Sequence, residues 1–391
     1  MVSSVDMQLH GLTVPVFAAG LCLCTVASAA EKRYVLWDPA RAVPKSAQAP
    51  LLEGVRFSVV KSRRPDVDGF NWLHGAAAVW HKGRLLVSFG HNTGSENTGS
   101  EIAEGRTSAD AGRTWGPVFH IASGKGDLAV SHGVFLSHKG VLWTFHGSFT
   151  GHRTKTHTRA YVLDEPTGRW VFKGVVAEQG FWPTCEPRKM PDGNWIMAGM
   201  SVGGANPAAV AVSKGGDFTA WRVVIIPRAA GLGRMWGEST VIVDGREILN
   251  IARYGARAEA LVSLSTDCGR TWSPQVRSNL PMAGSKPYAG VLSTGQRYLI
   301  CTTTADAGHR RSPLTIAVSR PGGKLFCRVF RIRDAVHPGP GESTPKARLS
   351  YPYAVEHEGQ LHVVYSNDGG RGANRNSAEL AVIPVENLRA K

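Results

Sequence analysis

The chain has 391 residues, is 42% apolar and 19% charged, and carries a formal net charge of +15. That composition excludes a disordered or collagen-like chain and leaves ample apolar material for a core. A field this positive attracts polyanions, but the basic residues are scattered. No basic helix and no aromatic-basic RNA-binding signature is present, so nucleic acid is not an expected partner.

Residues 1–29 read as a secretory signal peptide. An apolar run from Leu12 to Val26 precedes the small residues Ala27-Ser28-Ala29, although no Lys or Arg comes before Lys32. The run is too short for a membrane anchor, and no later segment is long and apolar enough to span a bilayer. A secreted or periplasmic location is therefore expected, and export makes acidic glycan the favoured polyanion. Four cysteines follow the leader: Cys185, Cys268, Cys301 and Cys327. None shows CxxC spacing, so no metal site is expected; disulfides are open, and their pairing cannot be read.

After an N-terminal extension over 30–54, a single domain is expected over 55–391. Val55 to Lys61 reads as a strand. Six units then follow, each a short apolar strand, a Gly-containing turn and further strands. Their turns are at Gly83, Gly140, Gly193, Gly245, Gly295 and Gly359. Their first strands begin with polar residues among apolar ones. These are His74 in WLHGAAAV, His132 in VSHGVFL, Glu186 and Arg188 in TCEPRKM, and Glu238 in WGESTVIV. Lys286 and Tyr288 in SKPYAGVL, and Tyr351 and Tyr353 in SYPYAVEH, complete the series.

Near the end of the third strand of the first unit is SADAGRTW (108–115), and STDCGRTW (265–272) occupies the same place in the fourth. Damaged copies end at Trp170, Trp221 and Phe326, so the motif recurs about every 50 residues, the signature of a repeat architecture. Four strands per repeat describe a β-propeller blade. The expected fold is all-β: a six-bladed β-propeller of four-stranded antiparallel blades. The last unit lacks chain for a fourth strand, so Val55–Lys61 should close the ring. A seventh blade from 31–54 has less support.

The octapeptide resembles the Asp-box, S-x-D-x-G-x-T-W, of the sialidase superfamily, in which it lies away from the active site. Asp110 and Asp267 are accordingly expected to be structural, making turns. The resemblance implies a site at the blade starts. It assigns Tyr351 as nucleophile and Glu238 as its base. Arg253 in NIARYG and Arg311, or Arg310 in its place, would clamp a substrate carboxylate. Where the family's first clamp Arg is found, this chain has Leu73-His74-Gly75-Ala76. The acid/base Asp is not evident either; HNTGSENTGSEIAEG offers Glu96 and Glu101.

Three functions follow from these residues. The first is a sialidase-like exo-glycosidase cleaving at or next to an acidic sugar, sialic or uronic, without a cofactor. Here Arg groups favour the Tyr phenolate and Glu accepts its proton. The second is a polysaccharide lyase on uronic-acid glycans, with His74 or His132 and Tyr351 performing β-elimination. The third is a glycan-binding propeller without chemistry. Sugar identity, linkage and oligomeric state are not legible.

Overall fold

A computed structural model describes Met1 and residues 33–390. The expected signal peptide lies outside the described residues.

Six antiparallel sheets form a ring of blades. Blade one comprises Trp72–His81, Arg84–Asn92, Ile102–Ser108 and Phe119–Ala122, innermost to outermost. Blades two, four and five repeat this order from Leu128–His138, Ser239–Asp244 and Tyr288–Val291. Blade three differs. Its innermost strand is broken into Phe181–Pro183 and Arg188–Lys189, both paired with Trp195–Ser201. Blade six takes three strands from the C-terminal end of the chain and the fourth from Arg56–Lys61, which pairs with Ser377–Pro384. That closure joins the first strand of the ring to the last and completes the sixth blade.

Residues 34–51 do not form a seventh blade. They run as isolated parallel bridges along the outer strands of blades four and five, Tyr34 with Ser278, Trp37 with Phe326 and Leu51 with Arg331. Leu36, Trp37 and Ala49 are buried there, and the Asn279 side chain accepts from the amides of Leu36 and Trp37 at 2.8 and 2.9 Å. The four cysteines are buried free thiols, with no disulfide among them. Among the described residues no helix is long and apolar enough to cross a membrane.

The octapeptide is a turn clamp. Ser108 Oγ donates to Asp110 and accepts from the Gly112 amide, both at 2.7 Å. Asp110 then accepts from the Thr114 amide and hydroxyl at 2.9 and 2.6 Å. Asp267 repeats this with Ser265, Gly269 and Thr271. These bonds hold the Asp110 carboxyl far below the usual range. Gly112 has φ +78°, and a methyl there would fall 2.2 Å from Leu380 Cδ2 of blade six. The clamp thus seats one blade on its neighbour.

Gly112→Ala should lower stability by about 2 to 4 kcal/mol, from left-handed strain and overpacking. At Gly116, where φ is ordinary and the nearest atom to an added methyl is Thr107 Oγ1 at 3.4 Å, Ala should stay within about 0.5 kcal/mol. Denaturant unfolding of both variants is the check; equal losses would refute the clamp.

Candidate active site

Three innermost strands carry a bulge near their start. The pairing register slips between His74 and Ala77, between Val130 and Gly133, and between Ser350 and Tyr353. A bulge re-aims side chains that strict alternation would bury between sheets. His74, His132 and Tyr351 fall in or beside these slips, and their rings meet. The His74 and Tyr351 centroids are 3.8 Å apart, and His132 is 5.8 Å from His74 and 6.3 Å from Tyr351. The contact depends on Gly75 (φ +65°), where a methyl would lie 2.2 Å from the His132 ring. Tyr351 itself has φ +53°, a conformation that costs a non-glycine residue about 1 kcal/mol or more and that clusters at functional sites.

The Tyr351 phenol donates to Glu238 Oε1. Arg253 Nη1 donates to Glu238 Oε2 at 2.6 Å and to the Tyr351 oxygen at 3.3 Å. Glu238 and Tyr351 are buried, so the carboxylate depends on these two donors. Burial, then the charge of Glu238, raises the Tyr351 pKa strongly; Arg253 and Arg311 offset part of that rise. The resting group is the phenol, with a proton acceptor in contact. The Arg311 guanidinium lies 5.8 Å from the Tyr351 ring centre and donates to the Gly284 carbonyl at 2.9 Å.

His74 has a defined tautomer. Asn376 Nδ2 donates to the Leu73 carbonyl at 2.6 Å, which fixes the amide orientation. The same nitrogen is 3.1 Å from His74 Nδ1, so Nδ1 accepts and Nε2 bears the proton. His74 Nε2 is buried with no partner among the described residues. Burial, then His132 and nearby cations, depresses its pKa, so the ring is a neutral donor. His132 is likewise pushed down to about 3, mainly by burial.

These groups line a cavity of about 280 Å³. It brings together His74, Glu96, His132, Glu238, Arg253, Arg311 and Tyr351 from the residues expected on sequence. Burial raises the Glu96 pKa, and Asn374 Nδ2 donates to its carboxylate at 2.9 Å.

The remaining expected residues do not line the cavity. Glu101 is buried at the end of the loop that carries Glu96, accepting from the Asn97 amide. Arg310 is exposed and turned to the carbonyls of Asp306 and Ala307. Glu186, Arg188, Lys286, Tyr288 and Tyr353 fill the axis as a second cluster. Arg188 pairs with Glu186 at 2.8 Å and reaches the carbonyls of Val241 and Ala289, on blades four and five. Tyr288 donates to Glu186 at 2.8 Å. Lys286 donates to the carbonyls of Thr184 and Pro352 at 3.3 and 2.9 Å. Desolvation lowers its pKa to about 8. These contacts tie neighbouring blades and place Glu186, Arg188, Lys286 and Tyr288 as structural links, with the Tyr353 ring packed 4.6 Å from that of Tyr288. The bulges in the inner strands split the polar residues into two groups that a list of strand starts cannot separate: Tyr351 and Tyr353 share a parity, yet only Tyr351 lines the cavity.

Arg153, Asn97, Asn374, Trp182, Trp236 and Met200 also line the cavity and were not expected. Arg153 stacks over Trp236 at 4.6 Å. A signal for several of them exists. The second strand of each blade ends on the face where the first begins. The loop after it therefore delivers residues to the same place: Glu96 and Asn97 in blade one, Arg153 in two, Arg311 in five, Asn374 in six.

A family model described as a BNR repeat-like domain matches residues 83–363. Among solved structures, a protein of unknown function from Dyadobacter fermentans is similar at TM-score 0.63 and 14% identity, over 85% of this chain and 99% of that one. The Hadza microbial sialidase Hz136 is similar at TM-score 0.64 and 15% identity, over 83% and 68% of the two chains. The NanB sialidase from Streptococcus pneumoniae is similar at TM-score 0.61 and 10% identity, over 88% and 72%. At these identities the likeness is one of fold. No curated protein matches the chain by sequence.

Glu101 supplies a pH test. Burial raises its pKa from the ordinary 4.5 to about 7. The folded state therefore holds a proton that the unfolded chain releases near 4.5. Its stabilisation is complete below that pH and is lost as pH rises through 7, about 3 kcal/mol at most. Stability measured by denaturation should fall between pH 4.5 and 7 in the natural chain and fall less steeply in Glu101→Gln. Equal slopes would refute the assignment.

Proposed function

We propose a glycosidase function for this chain, which belongs to the BNR repeat-like domain family. It cleaves a glycosidic bond at or next to an acidic sugar and retains anomeric configuration. The observation that carries this reading is the buried phenol of Tyr351 donating to Glu238, whose other oxygen is held by Arg253. A phenol alone is a weak nucleophile near neutral pH. Here Glu238 takes the phenolic proton as Tyr351 Oη attacks the anomeric carbon, and Arg253 and Arg311 stabilise negative charge on the oxygen. Glu96, kept protonated to higher pH by burial, gives its proton to the departing oxygen. Water then attacks the glycosyl-tyrosine, losing a proton to Glu96. Tyr351 leaves and recovers its proton from Glu238.

Recognition of the acidic group falls to Arg253 and Arg311, with His74 Nε2–H in place of a third cation. Two guanidinium groups match a carboxylate's geometry, and the neutral donor lowers the charge of the clamp relative to three arginines. Trp182, Trp236 and Met200 give an apolar wall on which a sugar ring can stack.

The lyase reading needs a base at the histidines. At His74 the accepting nitrogen is already occupied by Asn376, which weighs against it. Substrates of this kind are met outside the cell, and the apolar segment before Ala29 supports export. The N-terminal sequence of the protein recovered from outside the cytoplasm should begin near residue 30; retention of Met1 would refute processing.

With sialosides and uronate oligosaccharides as substrates, new reducing ends should appear without the ultraviolet absorbance of an unsaturated uronate. That absorbance would replace this reading with elimination. Tyr351→Phe should lower kcat/KM by about a thousandfold or more. Activity near that of the natural chain would remove Tyr351 as nucleophile. Glu96→Gln should cost about 10² to 10⁴ on glycans but far less on aryl glycosides, whose leaving group needs no proton. Equal losses on both would remove Glu96 as acid.

A further inference from the structure

The cavity has a neighbour. Arg253 and Arg311 line it and also line a larger groove, of about 830 Å³, between blades five and six. Arg310, Lys346, Arg348 and Arg371 continue this groove, with His309 among them, and among the described residues no carboxylate lines it. The nearby acids stand behind the cations. Asp368 is 3.9 Å from Arg348 and spends its oxygens on the amides of Arg348, Gly370 and Gly372. Glu342 pairs with Arg371 at 2.9 Å while accepting from Ser377. Asp306 is 4.0 Å from Arg310. Lys346 and Arg311 have no carboxylate partner among the described residues.

Like charges brought together at a groove repel one another and cost stability. Arg311 shows this at the inner end, where burial and then the charge of Arg253 hold its pKa below the ordinary value. An anionic ligand running along the groove relieves that repulsion. The groove also adjoins the cavity at two shared arginines, so that one polymer can lie across both.

We propose that the groove binds the acidic units flanking the sugar in the cavity, and that the substrate is a polyanionic glycan with successive carboxylated or sulfated units. This rests on the glycosidase reading for the sugar in the cavity; the charge of the groove carries the rest. A neutral glycan bearing one terminal acidic sugar would leave Lys346 without a counterpart, and Arg310 and Arg348 with only distant carboxylates at 4.0 and 3.9 Å.

The test uses binding, so it does not depend on turnover. Tyr351→Phe, which leaves the groove intact, is titrated with polygalacturonate oligomers, heparin oligosaccharides, neutral dextran and a DNA oligomer of matched charge. The same series is run with Lys346→Glu and Arg348→Glu added; both side chains are exposed and outside the cavity. Charge reversal should weaken binding of an acidic oligosaccharide by about tenfold or more and steepen no other titration. Binding of an acidic monosaccharide glycoside should be unchanged. Preference for galacturonate or heparin identifies carboxylate or sulfate as the recognised group. Unchanged affinity after charge reversal, no binding of either oligosaccharide, or equally tight binding of DNA would overturn the proposal. Absence of turnover by the natural chain, with this binding retained, would count against the glycosidase reading alone.

Discussion

A ring of six sheets has an axis, and polar groups pointed at that axis are largely withdrawn from water. Charges there are tolerated only when paired, because desolvation costs more than an isolated charge recovers. The polar starts of the six inner strands obey this constraint in two ways. One set pairs internally and reaches across to backbone carbonyls of neighbouring blades, as Arg188 does on blades four and five. The other set leaves donors and acceptors facing a cavity, as Tyr351, Glu238 and Arg253 do. Structure and chemistry therefore draw on the same residue types at nearby positions.

The cavity's reactivity depends on how its carboxylate is shared. Glu238 holds a phenol on one oxygen and a guanidinium on the other. The guanidinium pairs with the carboxylate in a buried place, and the phenol remains protonated until a reaction draws its proton away. Backbone strain at Tyr351 and the register slip around it bring this ring over His74. Packing of the two histidines in turn requires a glycine at 75, so the bulged strands, the histidines and the nucleophile form one unit.

Charge organises the surface beside this unit. The net positive charge of the chain is general, but its concentration between blades five and six is local and joins the cavity through Arg253 and Arg311. A scattered set of Arg and Lys in sequence becomes a groove because Arg310, Lys346, Arg348 and Arg371 lie on adjoining loops of neighbouring blades. Electrostatic steering by such a groove would act on the encounter rate before any bond is touched.

The repeat of about 50 residues, the turn-forming octapeptides and the short last unit determined the propeller, its six blades and its closing strand, because each is a local pattern of strand and turn. The resemblance of those octapeptides to the sialidase Asp-box, and not the repeat itself, indicated Tyr351, Glu238, Arg253 and Arg311. The tertiary structure decided which polar starts face the cavity and which plug the axis, a choice made by bulges at His74, His132 and Tyr351 that alternation alone does not reveal. It decided between Glu96 and Glu101, four residues into one loop and nine, by burying the second. It also brought in Arg153, Asn374 and Asn376, from loops whose place after the second strand recurs in each blade but whose lengths and residues do not, so that which of their side chains reaches the cavity is set only in the folded ring.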